Sequence, residues 1–155
     1  MRATLMLCDY AAVADGKLYI SGGGWSVTGP EPSPSAVAIK IDVPWTQAND
    51  RIHLQLRLLG EDGHAVVAQT PVGELPVEVQ GEFEVGRPPG LKHGTPIDVP
   101  MAFPFGPLPI LPGKRYSWEL RLNGDTQPDW HLAFTTRELP ESPPGIYTVD
   151  PAAEA

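Results

Sequence analysis

Ser21–Gly29 reads SGGGWSVTG, three glycines in a row beside a serine and a tryptophan. Consecutive glycines can cradle a phosphate, form an oxyanion hole, or simply let a chain turn back. A dinucleotide fingerprint needs a third glycine three residues after the second and a helix behind it. Val27 stands at that place, and the chain runs on into GPEPSPS, which cannot be helical. No Lys-Ser or Lys-Thr pair follows to reach phosphate and magnesium, which excludes a Walker loop. An esterase oxyanion loop works beside a G-x-S-x-G nucleophile elbow, and Gly24-Trp25-Ser26-Val27-Thr28 lacks the final glycine. The glycines therefore predict a loop or bulge at positive φ between KLYIS and WSVTG, with Trp25 inserted in the core.

The histidines raise a metal question. Pro88-Pro89-Gly90-Leu91-Lys92-His93 matches the P-x-G-x-x-H half of a cupin site, but the H-x-H half is absent. His53 falls on a polar strand face, and His64 and His93 fall in loop text, so no set of three or four converging ligands can be placed. Cys8 with His131 and Asp9 would be a nucleophile set, but a lone cysteine in an alternating apolar strand predicts a small buried side chain. Trp118 and Trp130 are in phase with the core faces of their strands. Trp45, after DVP at a strand end, is the one tryptophan expected to be exposed and the one candidate ligand contact. No catalytic residue, no cofactor site and no metal site is predicted.

Around these candidates the apolar residues recur with a period of two, the pattern of a strand with one buried face. Ile52, Leu54, Leu56 and Leu58 alternate with Arg51, His53, Gln55 and Arg57. Val37, Ile39, Ile41 and Val43 form a second set; Val77, Val79, Phe83 and Val85 a third; Tyr116, Trp118, Leu120 and Leu122 a fourth; Trp130, Leu132 and Phe134 a fifth. GEDGH after residue 59 and NGD at 123–125 are tight-turn signals. In IDVPMAFPF, Pro100 and Pro104 share one face, which predicts an edge or bulged strand. No window has a convincing helical period. The expectation is an all-β, antiparallel two-sheet sandwich, immunoglobulin-like or jelly-roll-like, over residues 1–137. A Pro/Ala/Glu-rich tail follows over residues 138–155, in which Ile146, Tyr147 and Val149 are the apolar exceptions.

At 155 residues the chain is the size of one domain. Nineteen acidic against eleven basic side chains give a net charge of −8, with no basic cluster, which argues against nucleic acid as a partner. One cysteine cannot staple the fold, and this predicts a reducing, cytoplasmic setting. Asp9 interrupts the N-terminal apolar run too early for an export signal. No stretch is long and apolar enough for a membrane span, so no membrane partner is expected.

The run LMLCDYAAVADGKLYISGGGWSVTG, with VPW at 43–45, GEFEVGRPPGLKHGTPIDVP at 81–100 and LPGKRYSWEL at 111–120, resembles an uncharacterised bacterial family, a domain of unknown function. Its distinctive element is GKLYI-GGGW, and the resemblance extends to about residue 137. It implies a small soluble all-β protein and brings no activity or ligand with it. The functional expectation is a non-catalytic sandwich acting through protein contacts as a subunit, adaptor or self-assembling module. The alternative is a small-ligand or carbohydrate-binding domain. Thr4, Met6, Cys8 and Tyr10 are unusually apolar for a solvent face. With Ile146, Tyr147 and Val149 they are the expected interface to a protein partner or to a second copy in a homo-oligomer.

Overall fold

Side chains that are apolar at every second position drive the backbone into strands, because only the extended chain puts them on one face. The computed structural model describes residues 1–141, so Ile146, Tyr147 and Val149 lie outside the described residues. Its strands are β1 (Arg2–Ala14), β2 (Lys17–Gly23), β3 (Val27–Thr28), β4 (Ser35–Val43), β5 (Ile52–Leu59) and β6 (Val67–Thr70). They continue with β7 (Gly73–Pro76), β8 (Glu78–Phe83), β9 (Ile97–Phe105), β10 (Arg115–Leu122) and β11 (His131–Thr136). Single 3-10 turns occur at Trp45–Gln47 and Pro128–Trp130, and no α-helix forms among the described residues.

One sheet has the order β2-β1-β4-β9 and the other β3-β11-β10-β5-β8, with β6-β7 as a separate ribbon. Every ladder is antiparallel except the two-residue pairing of β3 with β11, which is parallel. The strands β1-β4-β9 face β11-β10-β5-β8; the chain crosses between layers at β2–β3, β3–β4, β4–β5, β8–β9 and β9–β10, while β1–β2 and β10–β11 are hairpins within a sheet. This is the Greek-key order of an immunoglobulin-like sandwich rather than a jelly roll. Tyr116, at the start of β10, accepts a 2.8 Å hydrogen bond at its hydroxyl from the Leu111 N–H, tying the β9–β10 corner to the sheet as a tyrosine corner does.

The core lies between the sheets and holds the side chains that the alternation places inward. Val37, Ile39, Ile41 and Val43 of one layer and Ile52, Leu56, Leu58 and Leu120 of the other are buried. Trp118 bridges the layers, fully buried and stacked on Phe105 with ring centroids 4.6 Å apart. β9 is an edge strand with an unbroken register against β4, so Pro100 and Pro104 mark an edge and no bulge.

The expectation of one wet face fails at β4. Ala36 and Ala38, on its outer side, are as buried as Val37 and Ile39. Alternation in β1 slips after Cys8: Asp9 and Tyr10 are both exposed and Ala11 is buried, while Gly22 of β2 takes φ 60° at the same level. Ala11 and Leu18 thereby pack on Cys8, Ala36, Ala38 and Ala102 in a second small cluster. β2 comes close to β9 although β1 and β4 lie between them in the sheet order, so the β1–β2 hairpin curls over the outer face. Alanines at the contact allow the close approach.

Candidate functional site

The three glycines serve the curl, each for a different reason. Gly22 and Gly24 have the expected positive φ, 60° and 87°, values that favour glycine, while the pairing with β1 runs on without the extra residue of a bulge. Gly23 is not in the left-handed region; there a Cβ would come within 2.8 Å of Ile20 Cγ2 and 2.9 Å of Met6 Sδ. The Gly24 N–H donates to the Leu7 carbonyl at 2.7 Å, closing the hairpin onto β1. Trp25 is thus delivered to the core, edge-on to Phe134 at 6.0 Å.

Trp45 is half-buried in the 3-10 turn after β4, which corrects the expectation of an exposed ring. The Arg87 guanidinium lies 4.5 Å from the centre of the indole and its Nη2 donates to the Trp45 carbonyl at 2.9 Å. The His93 ring sits 4.9 Å away, tilted by 51°. Both partners come from the Pro/Gly-rich loop between β8 and β9, so the loop packs on the ring that a pyranose would need. Tyr10 and Tyr19 belong to the curled hairpin, at the opposite end of β1 from Arg2 and its partner Asp42 near Trp45. An open groove of about 420 Å³ remains beside the indole, lined by Arg2, Asp42, Trp45 and His93 among others.

The remaining histidines do not converge. His64 pairs with Asp62 at 3.0 Å inside the GEDGH turn, and His131 points along the outer face of the second sheet. Among the described residues no group of three or more His, Cys, Asp or Glu side chains is placed to hold a metal ion. Cys8 is fully buried in the other sheet, where its Sγ lies 3.4 Å from the Ala36 carbonyl as donor, so it forms no dyad with His131. Burial, and then the Asp9 carboxylate beside it, push the thiol above its ordinary range.

Glu119 carried no signal in the sequence that would single it out. This carboxyl is only 5 % exposed, and its Oε1 accepts from Arg57 Nε at 2.8 Å and from Arg121 Nε at 2.7 Å. His131 Nε2 stands 4.0 Å from Oε2 and 3.3 Å from the Thr126 hydroxyl. Burial works to raise its pKa, but the two guanidinium hydrogen bonds outweigh it and hold the carboxyl below its usual range. A general acid needs the reverse shift. Outward alternation puts Glu119, Arg121 and Arg57 on wet faces, and that pattern does not specify that they meet.

The proposed interface residues separate. Thr4, Met6 and Tyr10 are exposed, whereas Cys8 is sealed under the curled hairpin and cannot join that face. From Arg2 to Met6, β1 pairs only with β4; β2 takes its other side from Cys8 onward. Exposed Val13, Tyr19 and Ile20 lie on the same hairpin, and Ile20 and Met6 meet above Gly23.

Among the described residues no helix is long and apolar enough to cross a membrane. A search of curated proteins finds no match. The sandwich from β1 almost to the end of β11 coincides with what one family model describes: by its match over residues 3–135, the chain belongs to a family of unknown function, DUF6941.

Proposed function

We propose that this chain is a non-catalytic β-sandwich module that acts through protein contacts, including contacts between copies of itself, in a bacterial cytoplasm. The observation that carries the reading is the apolar surface beside the half-open β1 strand. Met6 is 39 % and Tyr10 58 % exposed, with Val13, Tyr19 and Ile20 also open to solvent on one hairpin. Apolar side chains gathered next to unpaired backbone donors and acceptors mark a surface that meets another chain. The sealed Cys8 thiol, Glu119 held ionised by two guanidinium groups, and Trp45 with Arg87 and His93 packed on its ring support a protein-binding role over a catalytic or sugar-binding one. The reducing compartment follows from the single buried thiol, and the net charge of −8 argues for a protein partner over nucleic acid. The bacterial setting rests on the GKLYI-GGGW resemblance.

Light scattering on the wild type and on Met6→Lys tests this. The wild type is expected to associate with rising concentration, and Met6→Lys to remain monomeric with the same far-ultraviolet circular dichroism. A wild type that stays monomeric throughout and captures no protein from extract would refute it.

A further inference from the structure

The edge strands β8 and β9 belong to different sheets and leave a cleft of about 380 Å³ between them. Its walls are Val79 and Phe83 on one strand and Met101 and Phe103 on the other, with Leu54 on the floor. Period two puts residue 81 inward with Val79 and Phe83, opposite buried Leu54, and that residue is glycine. Its φ lies outside the left-handed region, and a Cβ there would meet nothing within 4 Å. Neither backbone nor crowding requires glycine at this position. What the glycine does is leave a side-chain-sized hole in an apolar wall.

The two edges differ in what they offer a visitor. The unbroken register of β9 against β4 puts Pro100 and Pro104 where backbone N–H groups would face away from β4, so half the outward donors of β9 are missing. β8 carries no proline and is paired only with β5, so its outer edge retains its donors and acceptors. Arg51 stands 3.6 Å from both Glu82, near the end of β8, and Glu84, just beyond it, while Glu78 at its start accepts from the Gln55 and Gln80 side-chain amides, so the strand is lined by three carboxylates.

We propose that this cleft is a strand-insertion groove: an extended peptide, apolar at alternate positions and cationic at its flanks, pairs with β8 and lowers one large apolar side chain into the hole at Gly81. Backbone pairing supplies binding and the hole supplies selectivity, as in other strand-addition sites. A free apolar small molecule would cover the β8 edge and leave its backbone groups without partners. A second copy of β8, paired antiparallel about Gln80, would set Glu78 against Glu82. The inference rests on the reading of the chain as a binding module but uses the β8–β9 edge, two strands from Met6 along the row Met6, Ala38, Ala102.

The test is titration of the full chain with a fluorescent peptide of alternating valine, threonine and leucine carrying two lysines at each end. The wild type is expected to bind, with amide shifts along β8. Gly81→Leu should weaken binding at least tenfold without lowering the unfolding midpoint, and Glu82→Lys should weaken it as well. Met6→Lys should bind as the wild type does. The proposal falls if the peptide does not bind at millimolar concentration, if Gly81→Leu binds equally well, or if a backbone N-methylated peptide or octanoate binds as tightly. Loss of self-association in Met6→Lys together with absent peptide binding would sink this proposal and leave the functional reading standing.

Discussion

Two glycines, Gly24 and Gly81, allow the cost of a left-handed backbone to be isolated in this fold. Gly24 has φ 87° with nothing within 4 Å of where a Cβ would stand, and Gly81 has equally open space without the left-handed φ. Replacing either with alanine lowers the entropy of the unfolded chain by the same amount, a gain of about 0.4–1 kcal/mol. Only Gly24→Ala carries backbone strain, about 1–2 kcal/mol. Because the entropic gain is common to both, the difference between the variants is the strain alone. Gly81→Ala should equal or exceed the wild type in stability, and Gly24→Ala should lie about 1–2 kcal/mol below Gly81→Ala. For a domain of this size that separates their melting temperatures by about 2–8 °C. Urea unfolding with a shared slope measures the free-energy difference directly. Equal midpoints, or Gly81→Ala the less stable, would show that the glycine turn is not what fixes the hairpin.

Glu119 makes the fold acid-sensitive. Its carboxyl titrates below the ordinary 4.5, so its two guanidinium bonds stabilise the protein in full above about pH 4.5 and are lost as pH falls through the lower folded value. Glu119→Gln should cost about 2 kcal/mol near neutral pH, the two charge-assisted bonds discounted because Arg57 and Arg121 can rehydrate. The variant should also show a shallower decline in stability below about pH 4.5. Equal acid profiles for both proteins would contradict this. Cys8, buried with its pKa raised, should resist a disulfide reagent in the native state and react fully in denaturant. Rapid native labelling would mean that the β1–β2 hairpin lifts off the sheet.

Much of the sandwich was legible because its strands obey a two-residue period against one core. Ile52 to Leu58 and Tyr116 to Leu122 are buried at each position the alternation names, and the prolines of β9 announced an edge. Pairing order was not legible, since alternation says which face is buried but not which strand lies beside which. The parallel β3–β11 contact is two residues long, too short to carry any pattern. Ala36 and Ala38 misled for a related reason: alanine is neutral between wet and dry faces, and only the curl of a distant hairpin buries them.

The surfaces that bear on function were hidden because they depend on departures from the same period. Alternation places Thr4, Met6, Cys8 and Tyr10 of β1 on one face, but it does not say what lies over that face. The β1–β2 register is constant, and the curl of the hairpin at Asp9 and left-handed Gly22 lays Ala11 and Leu18 over Cys8 on the outer face of the sheet. SGGGW, expected to turn the chain at positive φ, does so at Gly22 and Gly24 within this hairpin. Gly81 presents the converse case. In sequence it is a weak point in an apolar alternation, easily passed over, since glycine in a strand costs stability and adds no side chain. In space it stands at the one inward position of β8 without a side chain, on an edge that keeps its hydrogen-bonding groups, across from an edge that has lost half of its donors. A glycine demanded by geometry explains a fold; a glycine that geometry does not demand, facing an apolar cleft, points outward to what enters it.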